Sequence, residues 1–228
     1  MNTQNNGHEH EFEAVYGLPE ALPKGETILW QGAPDFGDLA VRVFHLKKVA
    51  VYFAVLMAVR GSYLYSLDEP SMTILAGILI VAGLGLTAMV ALALLAWLTA
   101  RTTAYTLTDK RVVMRIGIVL TLTFNLPFKR IKTAGLRLTA SGFGDMPLVL
   151  SGGNRIGWLN LWPHVRPWRI AQPEPMLRCV PNAQTVATTF QKAWVQATGN
   201  QPGAIAPPAP VAKNATWAAR QPLSNGPV

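Results

Sequence analysis

The sequence predicts an α+β membrane protein in which a two-helix transmembrane hairpin is joined to a small β-barrel with a C-terminal helix. Three observations predict this fold class: an uncharged apolar stretch over residues 71–98, a series of short β-type segments after Thr103, and an amphipathic stretch over residues 183–197. Charged residues make up 14% of the chain, against about 25% in typical soluble proteins. This deficit favours a membrane location.

The hairpin is predicted within residues 47–99. Residues 71–98 exceed the roughly 20 apolar residues that cross about 30 Å of hydrocarbon. Residues 49–67 form a second predicted span, which is interrupted by Arg60. The long side chain of Arg60 can reach the headgroup region, and this lowers the cost of placing a charge in the span.

Basic residues lie before the first predicted span and after the second. They are Arg42, Lys47, Lys48, Arg101, Lys110, Arg111 and Arg115. The link between the spans carries Asp68 and Glu69 and no basic residue. By the positive-inside rule, this asymmetry predicts a multi-pass protein of the cytoplasmic membrane with both termini in the cytoplasm. Residues 1–40 hold no apolar core of a secretory signal peptide, so we expect the hairpin itself to direct insertion.

Residues 101–198 are predicted to form the β-barrel and its C-terminal helix. Six or seven short strands are separated by turn signals such as SGFGD and SGGN. Residues 116–122 are too short for a third span and are predicted to be a buried strand. The strand-like stretch RIGWLNLW is predicted to end near Trp162. Asn182 is the predicted N-cap of the final helix, whose apolar stripe consists of Val186, Phe190 and Trp194.

Three further segments complete the predicted organisation. Residues 1–26 are predicted to form a polar N-terminal segment, and residues 27–46 are predicted to include a pre-membrane segment. Residues 199–228 are rich in Pro and Ala and are predicted to be disordered. The run HEHE at residues 8–11 alternates metal-ligand types, but it lacks the helix and the spacing of a zinc motif. No metal site is therefore predicted.

The stretch LWPHVRPWRI, over residues 161–170, concentrates side chains that favour interactions. Its two prolines are incompatible with a regular helix or a central strand, so a rigid loop is predicted. Indole and guanidinium groups suit both lipid headgroups and protein partners. The predicted partner- or membrane-binding residues are Trp158, Trp162, His164, Arg166, Trp168 and Arg169. For Trp158 and Trp162, a place in the barrel core is the alternative interpretation.

Several kinds of chemistry are not predicted. His45 and His164 have no carboxylate held beside them by the local sequence, so no catalytic set can be assembled and an enzyme is not expected. The glycines of SGGNRIG lack a following helix and a P-loop lysine, which argues against a phosphate-binding loop. The basic residues are dispersed around the hairpin, which disfavours nucleic-acid binding. Cys179 is the single cysteine, which excludes an intramolecular disulfide, and it is interpreted as a small buried residue.

Four stretches of the sequence carry a family resemblance. GETILWQGAP and YTLTDKRVVMRIGI, which flank the predicted hairpin, resemble the bacterial pleckstrin-homology (PH) domains of membrane proteins. In that family one strand precedes the hairpin and the others follow it, which implies a PH-like barrel formed by residues 27–46 and 101–198. HEFEAVYGLPEALPKGETILWQGAPD and LNLWPHVRPWRIAQPEPMLRCVPNA resemble the PuhB family of photosynthetic-complex assembly proteins of purple phototrophic bacteria. This second resemblance extends to Ala197.

The second resemblance implies a non-catalytic, membrane-anchored assembly factor for the photosynthetic reaction centre and, indirectly, for the light-harvesting 1 antenna. It implies reaction-centre and light-harvesting subunits as partners and the inner or intracytoplasmic membrane as the location. The net charge of +8 adds anionic membrane lipids as expected partners. No cofactor is expected. His164 is considered as a bacteriochlorophyll ligand, but a ligand for that pigment usually lies in a membrane helix.

Other interpretations stay open at this point. A lipid-sensing or scaffolding membrane protein with a PH-like domain and no link to photosynthesis is the first alternative, and a membrane-bound enzyme of lipid or pigment metabolism is the second. A homodimer through Gly77, Gly83 and Gly85 is also consistent with the sequence, since small residues let helices approach closely. Such residues are, however, frequent in membrane helices in general.

Overall fold

The computed structural model describes residues 17–18, 22–152 and 156–199. Most of the predicted N-terminal segment, including the HEHE run at residues 8–11, lies outside the described residues, as does almost all of the predicted tail. The described chain is α+β and contains two sheets, a pair of long apolar helices and a C-terminal helix.

The helices and strands alternate in groups along the chain. The helices are α1 (Phe36–Arg42), α2 (Leu46–Ser66), α3 (Ser71–Thr102), α4 (Trp158–Leu161) and α5 (Ala183–Thr198). The strands are β1 (Ile28–Gly32), β2 (Ala104–Thr108), β3 (Arg111–Ile116), β4 (Leu122–Pro127), β5 (Ile131–Ala134), β6 (Arg137–Leu138), β7 (Gly144–Leu150) and β8 (Met176–Val180). A 3-10 turn (Phe128–Arg130) links β4 to β5.

The two predicted spans are the helices α2 and α3. With 21 and 32 residues, they are about 31 Å and 48 Å long at 1.5 Å per residue. Both are long and apolar enough to cross a membrane. Many of their large apolar side chains are exposed, whereas a core helix of a soluble protein would bury them. The two helices therefore suggest association with a membrane.

Small residues of α3 let α2 approach closely. A Cβ atom at Gly85 would lie 2.8 Å from Cγ of Phe53, and a Cβ atom at Gly77 would meet the side chain of Leu64. Gly83 has open space beside it. Gly77 and Gly85 therefore serve the packing of the hairpin within one chain, and Gly83 alone of the three has room for another helix.

The short helix α1 attaches the pre-membrane segment to the end of α3. Asp35 caps α1 by accepting a hydrogen bond from the backbone N–H of Asp38 at 2.8 Å. The buried side chain of Leu39 belongs to a small apolar cluster with Ala96 of α3. His45, with a φ of +57°, then turns the chain into α2. One side of the last turns of α3 is thus covered by protein.

The strands form two antiparallel sheets. The first has the order β1-β2-β3-β4, so the strand before the hairpin pairs with the strand that follows it. In the second sheet, β7 pairs with β5, β6 and β8. No strand pairing joins the two sheets among the described residues, so the predicted closed barrel is not confirmed. The 3-10 turn after β4 carries the chain out of the first sheet before β5 begins.

The helix α5 packs on the core that both sheets share. Its predicted apolar stripe is confirmed, because Val186, Phe190 and Trp194 are buried in that core. Phe190 meets Phe128 edge to face, with ring centroids 5.6 Å apart. Asn182 is the N-cap residue, as predicted, but it has a φ of +49° and its side chain forms no capping hydrogen bond.

The predicted buried strand over residues 116–122 is wrong. The strand β3 ends at Ile116, and residues 117–121 form an exposed connection to β4. Gly117 starts this connection with a φ of +116°, a conformation that glycine adopts without the steric cost of a side chain.

The predicted strand that ends near Trp162 is also wrong. Residues 158–161 form the short helix α4 instead. In a helix, positions three apart lie on one face, so Trp158 and Leu161 both reach the main core. Alternation along a strand would have placed them on opposite faces.

Candidate interaction surface

The predicted interaction residues lie on α4 and on the connection from α4 to β8, next to the junction of α1 and α2. An open cleft of about 570 Å³ separates these two parts of the chain. The charged side chains that line it are Arg42, Lys48, Arg137, Arg178 and one carboxylate, Asp145. The indoles that line it are Trp158, Trp162 and Trp168. The cleft therefore combines positive charge with aromatic surface at the start of α2.

His164 lies in the buried half of this connection. Its side chain is fully buried. Its Nδ1 atom lies 2.6 Å from the hydroxyl oxygen of Tyr105, and its Nε2 atom lies 3.1 Å from the hydroxyl oxygen of Thr103. The backbone N–H of Met176 donates to the carbonyl of His164 at 2.9 Å. His164 therefore ties the connection to the segment where the chain leaves α3.

The hydrogen bonds determine the protonation of His164. The Tyr105 hydroxyl accepts from the backbone N–H of Arg178 at 3.2 Å, and among the described residues its own proton finds an acceptor at Nδ1 of His164 alone. The ring proton is therefore on Nε2, which donates to Thr103. Burial, reinforced by the positive charge of Arg178, lowers the pKa of His164 to about 3. At neutral pH the ring is uncharged, and both nitrogens are engaged within the protein rather than open to a pigment or metal.

Trp158 and Trp162 have different environments. Trp158 is partly buried and packs against the main core, and its indole N–H has no hydrogen-bond partner among the described residues. Trp162 is 48% exposed and meets the ring of Phe44 edge to face, with centroids 5.8 Å apart. The core interpretation fits Trp158, whereas Trp162 lies at the surface beside the junction of α1 and α2.

Arg166, Trp168 and Arg169 form the exposed half of the connection. A guanidinium nitrogen of Arg166 lies 2.9 Å from one carboxylate oxygen of Glu174, and Nε of Arg169 lies 3.6 Å from the other. Because Glu174 is buried, its carboxylate restrains both arginines. Trp168 is 93% exposed and has a φ of +64°, which is uncommon for a bulky residue. The chain thus presents an exposed indole between two restrained guanidinium groups.

A second polar network joins α1 to the second sheet. Arg42 donates to Asp38 on its own helix at 2.5 Å and to Asp145 on β7. The other oxygen of Asp145 accepts the backbone N–H of Cys179 on β8 at 3.0 Å. The backbone N–H of Asp35 donates to the carbonyl of Cys179 at 2.9 Å. These bonds fix the pre-membrane helix and hold one wall of the cleft in place.

Sequence reasoning does not find this network. It assigns SGFGD to a turn, whereas Asp145, the last residue of that stretch, lies on β7. A carboxylate directly before the apolar run MPLVL is the signal that could have identified a buried partner for a basic residue. The thiol of Cys179 is fully buried beside this network, and burial together with the negative charge of Asp145 raises its pKa. This confirms the interpretation of Cys179 as a small buried residue.

Metal-ligand side chains are not grouped in the part of the chain that the structure describes. No set of three or more His, Cys, Asp or Glu residues there could hold a metal ion. His45, the other histidine considered from the sequence, lines the cleft at the start of α2. The charged and indole side chains that line the cleft offer ionic and aromatic contacts.

The arrangement of the strands around an inserted helical hairpin can be compared with known families. The sequence profile of the bacterial PH domain family matches residues 42–194. This chain belongs to the bacterial PH domain family. The first resemblance drawn from the sequence is thereby confirmed. In this PH domain protein, β1 lies before the matched range and still completes the first sheet by pairing with β2.

Two known proteins are similar to this PH domain protein. An uncharacterized 23.7 kDa protein in the puhA 5' region of Rhodobacter capsulatus is 36% identical to it over 208 residues, which cover 88% of this chain and 94% of that protein. A DUF1696 family protein with a pleckstrin-homology domain, from Shewanella loihica, has a solved crystal structure. It is 14% identical, with a TM-score of 0.28, over 40% of this chain and 71% of that chain. The second likeness is too distant to add to the family match.

Proposed function

We propose that this PH domain protein is a non-catalytic, membrane-anchored assembly factor for the photosynthetic reaction centre and, indirectly, for the light-harvesting 1 antenna. The observation that carries the proposal is the relative that is 36% identical across 88% of the chain and is named by its place in the puhA 5' region. That genomic context agrees with the resemblance of two long sequence blocks to the PuhB family. A PH-like domain is compatible with scaffolding, although the fold alone does not determine a role.

In this proposal, α2 and α3 hold the protein in the inner or intracytoplasmic membrane with both termini in the cytoplasm. The length and composition of the two helices support a double span. Lys47 and Lys48 at the start of α2, and Arg101 at the end of α3, support the orientation. The pairing of β1 with β2 adds a topological argument. Strands before and after a hairpin can pair only if both ends of the hairpin are on the same side of the membrane.

The client-binding surface in this proposal is formed by Trp162, Arg166, Trp168 and Arg169. Trp and Arg residues contribute much of the binding energy at protein interfaces. The buried carboxylate of Glu174 restrains both arginines before any partner arrives, which reduces the entropy lost on binding. Reaction-centre and light-harvesting subunits are the proposed partners of this surface.

A lipid-binding scaffold is the second candidate function. The observation that favours it is the charge of the cleft, where four cationic side chains face one carboxylate. Lys48 and Arg137 form no ion pair among the described residues. Lys48 lies in the first turn of α2, at the level where a membrane-spanning helix meets the headgroups. Anionic headgroups are suitable ligands for such a cleft.

Reaction-centre content per cell tests the assembly role. A strain that lacks the protein should show a smaller light-induced absorbance change, because fewer centres are built, while pigment synthesis continues. Complementation with a chain carrying Trp168→Ala and Arg169→Ala should restore content poorly, because truncating such residues costs about 2 kcal/mol or more of binding energy, near thirtyfold in affinity. The matched control carries Lys110→Ala and Lys129→Ala, which remove exposed charges elsewhere on the domain, and it should restore content fully.

Two results would contradict the assembly role. Unchanged reaction-centre content in the deletion strain under phototrophic growth would favour the lipid-binding scaffold. A block in pigment synthesis itself would favour a membrane-bound enzyme.

A further inference from the structure

The connection between β3 and β4 is unusual because it is both exposed and apolar. Val119 is 90% exposed and Leu120 is 79% exposed, and the neighbouring Ile118 and Leu122 are also exposed. Turns that face water are normally built from Gly, Pro, Asn, Asp and Ser. Residues 118–120 contain none of these types. Exposure to water therefore does not explain the apolar composition of this connection.

The register of the first sheet places this connection on the side of the long helices. The helix α3 ends at Thr102, and Ala104, at the start of β2, pairs with Arg115 on β3. The strand β3 thus returns to the level at which the chain leaves α3, and it contacts α3. The chain continues past Arg115 to Val119. The pairing of Ile116 with Leu122 then keeps the apolar tip at this end of the sheet.

The opposite end of the same sheet has the opposite composition. There, β2 and β3 are joined by Asp109 and Lys110, which are ordinary residues for a turn in water. Thr27 donates its backbone N–H to the carboxylate of Asp109 at 3.0 Å. One sheet therefore has a polar turn at the end away from α3 and an apolar turn at the end beside α3.

The length of α3 leaves room for this contact. About 48 Å of helix exceeds the roughly 30 Å of hydrocarbon by about 18 Å. Near the C-terminal end of α3, the guanidinium of Arg101 lies 5.4 Å from the ring centroid of Trp97. Trp is enriched where membrane helices meet the headgroups, and Arg is enriched on the cytoplasmic side. The apolar tip lies at the end of the sheet where the chain leaves this part of α3.

We propose that Ile118, Val119 and Leu120 insert into the boundary between headgroups and acyl chains of the bilayer that holds α2 and α3. The inference rests on the membrane anchoring proposed above. The ligand is the apolar upper part of the lipid layer, so no particular headgroup is required. Together with the spans α2 and α3, this contact fixes the orientation of the PH domain against the membrane. It therefore sets the height at which the exposed indole of Trp168 meets a client.

A site-directed fluorescent label tests the contact in the full-length protein. Val119→Cys is labelled with an environment-sensitive dye, and the protein is placed in phosphatidylcholine–phosphatidylglycerol nanodiscs. Cys179 does not compete for the label, because it is fully buried and its thiol pKa is raised by burial. Lys110→Cys, in the polar turn at the other end of the same sheet, is the matched control. Leu120→Cys is a second reporter if Val119→Cys does not fold.

We expect the dye at position 119 to emit at shorter wavelength than the dye at position 110. Lipids that carry a quencher high on the acyl chain should remove most of the emission at position 119 and leave position 110 unchanged. Equal, water-like emission at both positions would overturn the proposal. A blue-shifted signal at position 119 that the lipids do not quench, and that appears only when two chains share a nanodisc, would also overturn it. That result would identify a second copy as the occupant.

Carbonate extraction of the same labelled protein, reconstituted into liposomes of the same lipids, separates this inference from the anchoring on which it rests. Retention in the membrane fraction together with a water-like signal at position 119 would overturn the tip contact and leave the anchoring intact. Release by carbonate would overturn the anchoring, and the tip contact with it.

Discussion

His164 and Trp168 are close neighbours on one connection, yet they have opposite environments. His164 is fully buried and joins the hydroxyls of Thr103 and Tyr105, whereas the side chain of Trp168 projects from the domain. Between them, Val165 forms a β-bridge with Pro175 next to β8. The aromatic and basic residues of this connection therefore have two different roles, although they lie only a few positions apart. His164 attaches the connection to the domain, whereas Trp168 is exposed and available for contact with a partner.

The largest expected effect comes from removing the buried member of this pair. His164→Ala deletes a fully buried ring and leaves two hydroxyls without their partner, so we expect a loss of about 3 kcal/mol in the free energy of unfolding. Denaturant unfolding of the detergent-solubilised protein measures this loss. Trp168→Ala is the matched control, because it removes a larger ring from the same connection. If His164→Ala lowered the free energy of unfolding by less than about 0.5 kcal/mol, the contrast between a stabilising His164 and an exposed Trp168 would be wrong.

Acidification is expected to lower the free energy of unfolding, by a smaller amount for each pH unit than the loss caused by His164→Ala. The pKa of His164 is about 3 in the folded protein and about 6.5 in an unfolded chain, so the unfolded state binds the proton more readily. The stabilisation is complete above about pH 6.5 and is lost as the pH falls towards 3, by at most about 1.4 kcal/mol per pH unit. Unfolding is measured across this range for the wild type and for His164→Gln, which cannot titrate. The wild type should lose stability faster on acidification, and parallel curves would contradict this origin of the pH dependence.

The smallest effect on stability is expected for the exposed member. Trp168→Ala should change the free energy of unfolding by less than about 0.5 kcal/mol, because the indole makes few contacts that folding could gain. Thermal unfolding under the same detergent conditions measures the change. A loss similar to that of His164→Ala would mean that the indole packs on the domain in solution, and the proposed client-binding surface would then lose its central residue.

The helical hairpin could be predicted from the sequence because its signal is local. The uncharged run over residues 71–98 identifies α3, and α2 (Leu46–Ser66) begins only a little before the predicted span over residues 49–67. The connection over residues 117–121 could not be predicted in the same way. Its residues are of the β type, and what makes it a connection is the pairing of Ile116 with Leu122 on either side of it.

The candidate surface could be located from the sequence. Which of its residues are buried and which are exposed could not be predicted. The partners of His164 are Thr103 and Tyr105, which belong to a distant part of the chain and reach His164 only through the packing of the connection against β2. Arg42 and Asp145 likewise come together only in the folded domain. Local sequence shows which residue types are present, whereas long-range packing decides which of them are buried.

The pairing of β1 with β2 makes completion of the first sheet depend on the hairpin. β1 ends at Gly32 and β2 begins at Ala104, and the whole hairpin is synthesised between them. Until α2 and α3 are paired, β1 has no neighbour and β2, whose residues are all buried in the finished fold, presents a bare hydrogen-bonding edge. Such edges invite aggregation, and incompletely folded chains are removed by proteases. Completion of the first sheet is therefore a checkpoint within the chain, because a finished domain requires a folded hairpin that brings β1 and β2 together.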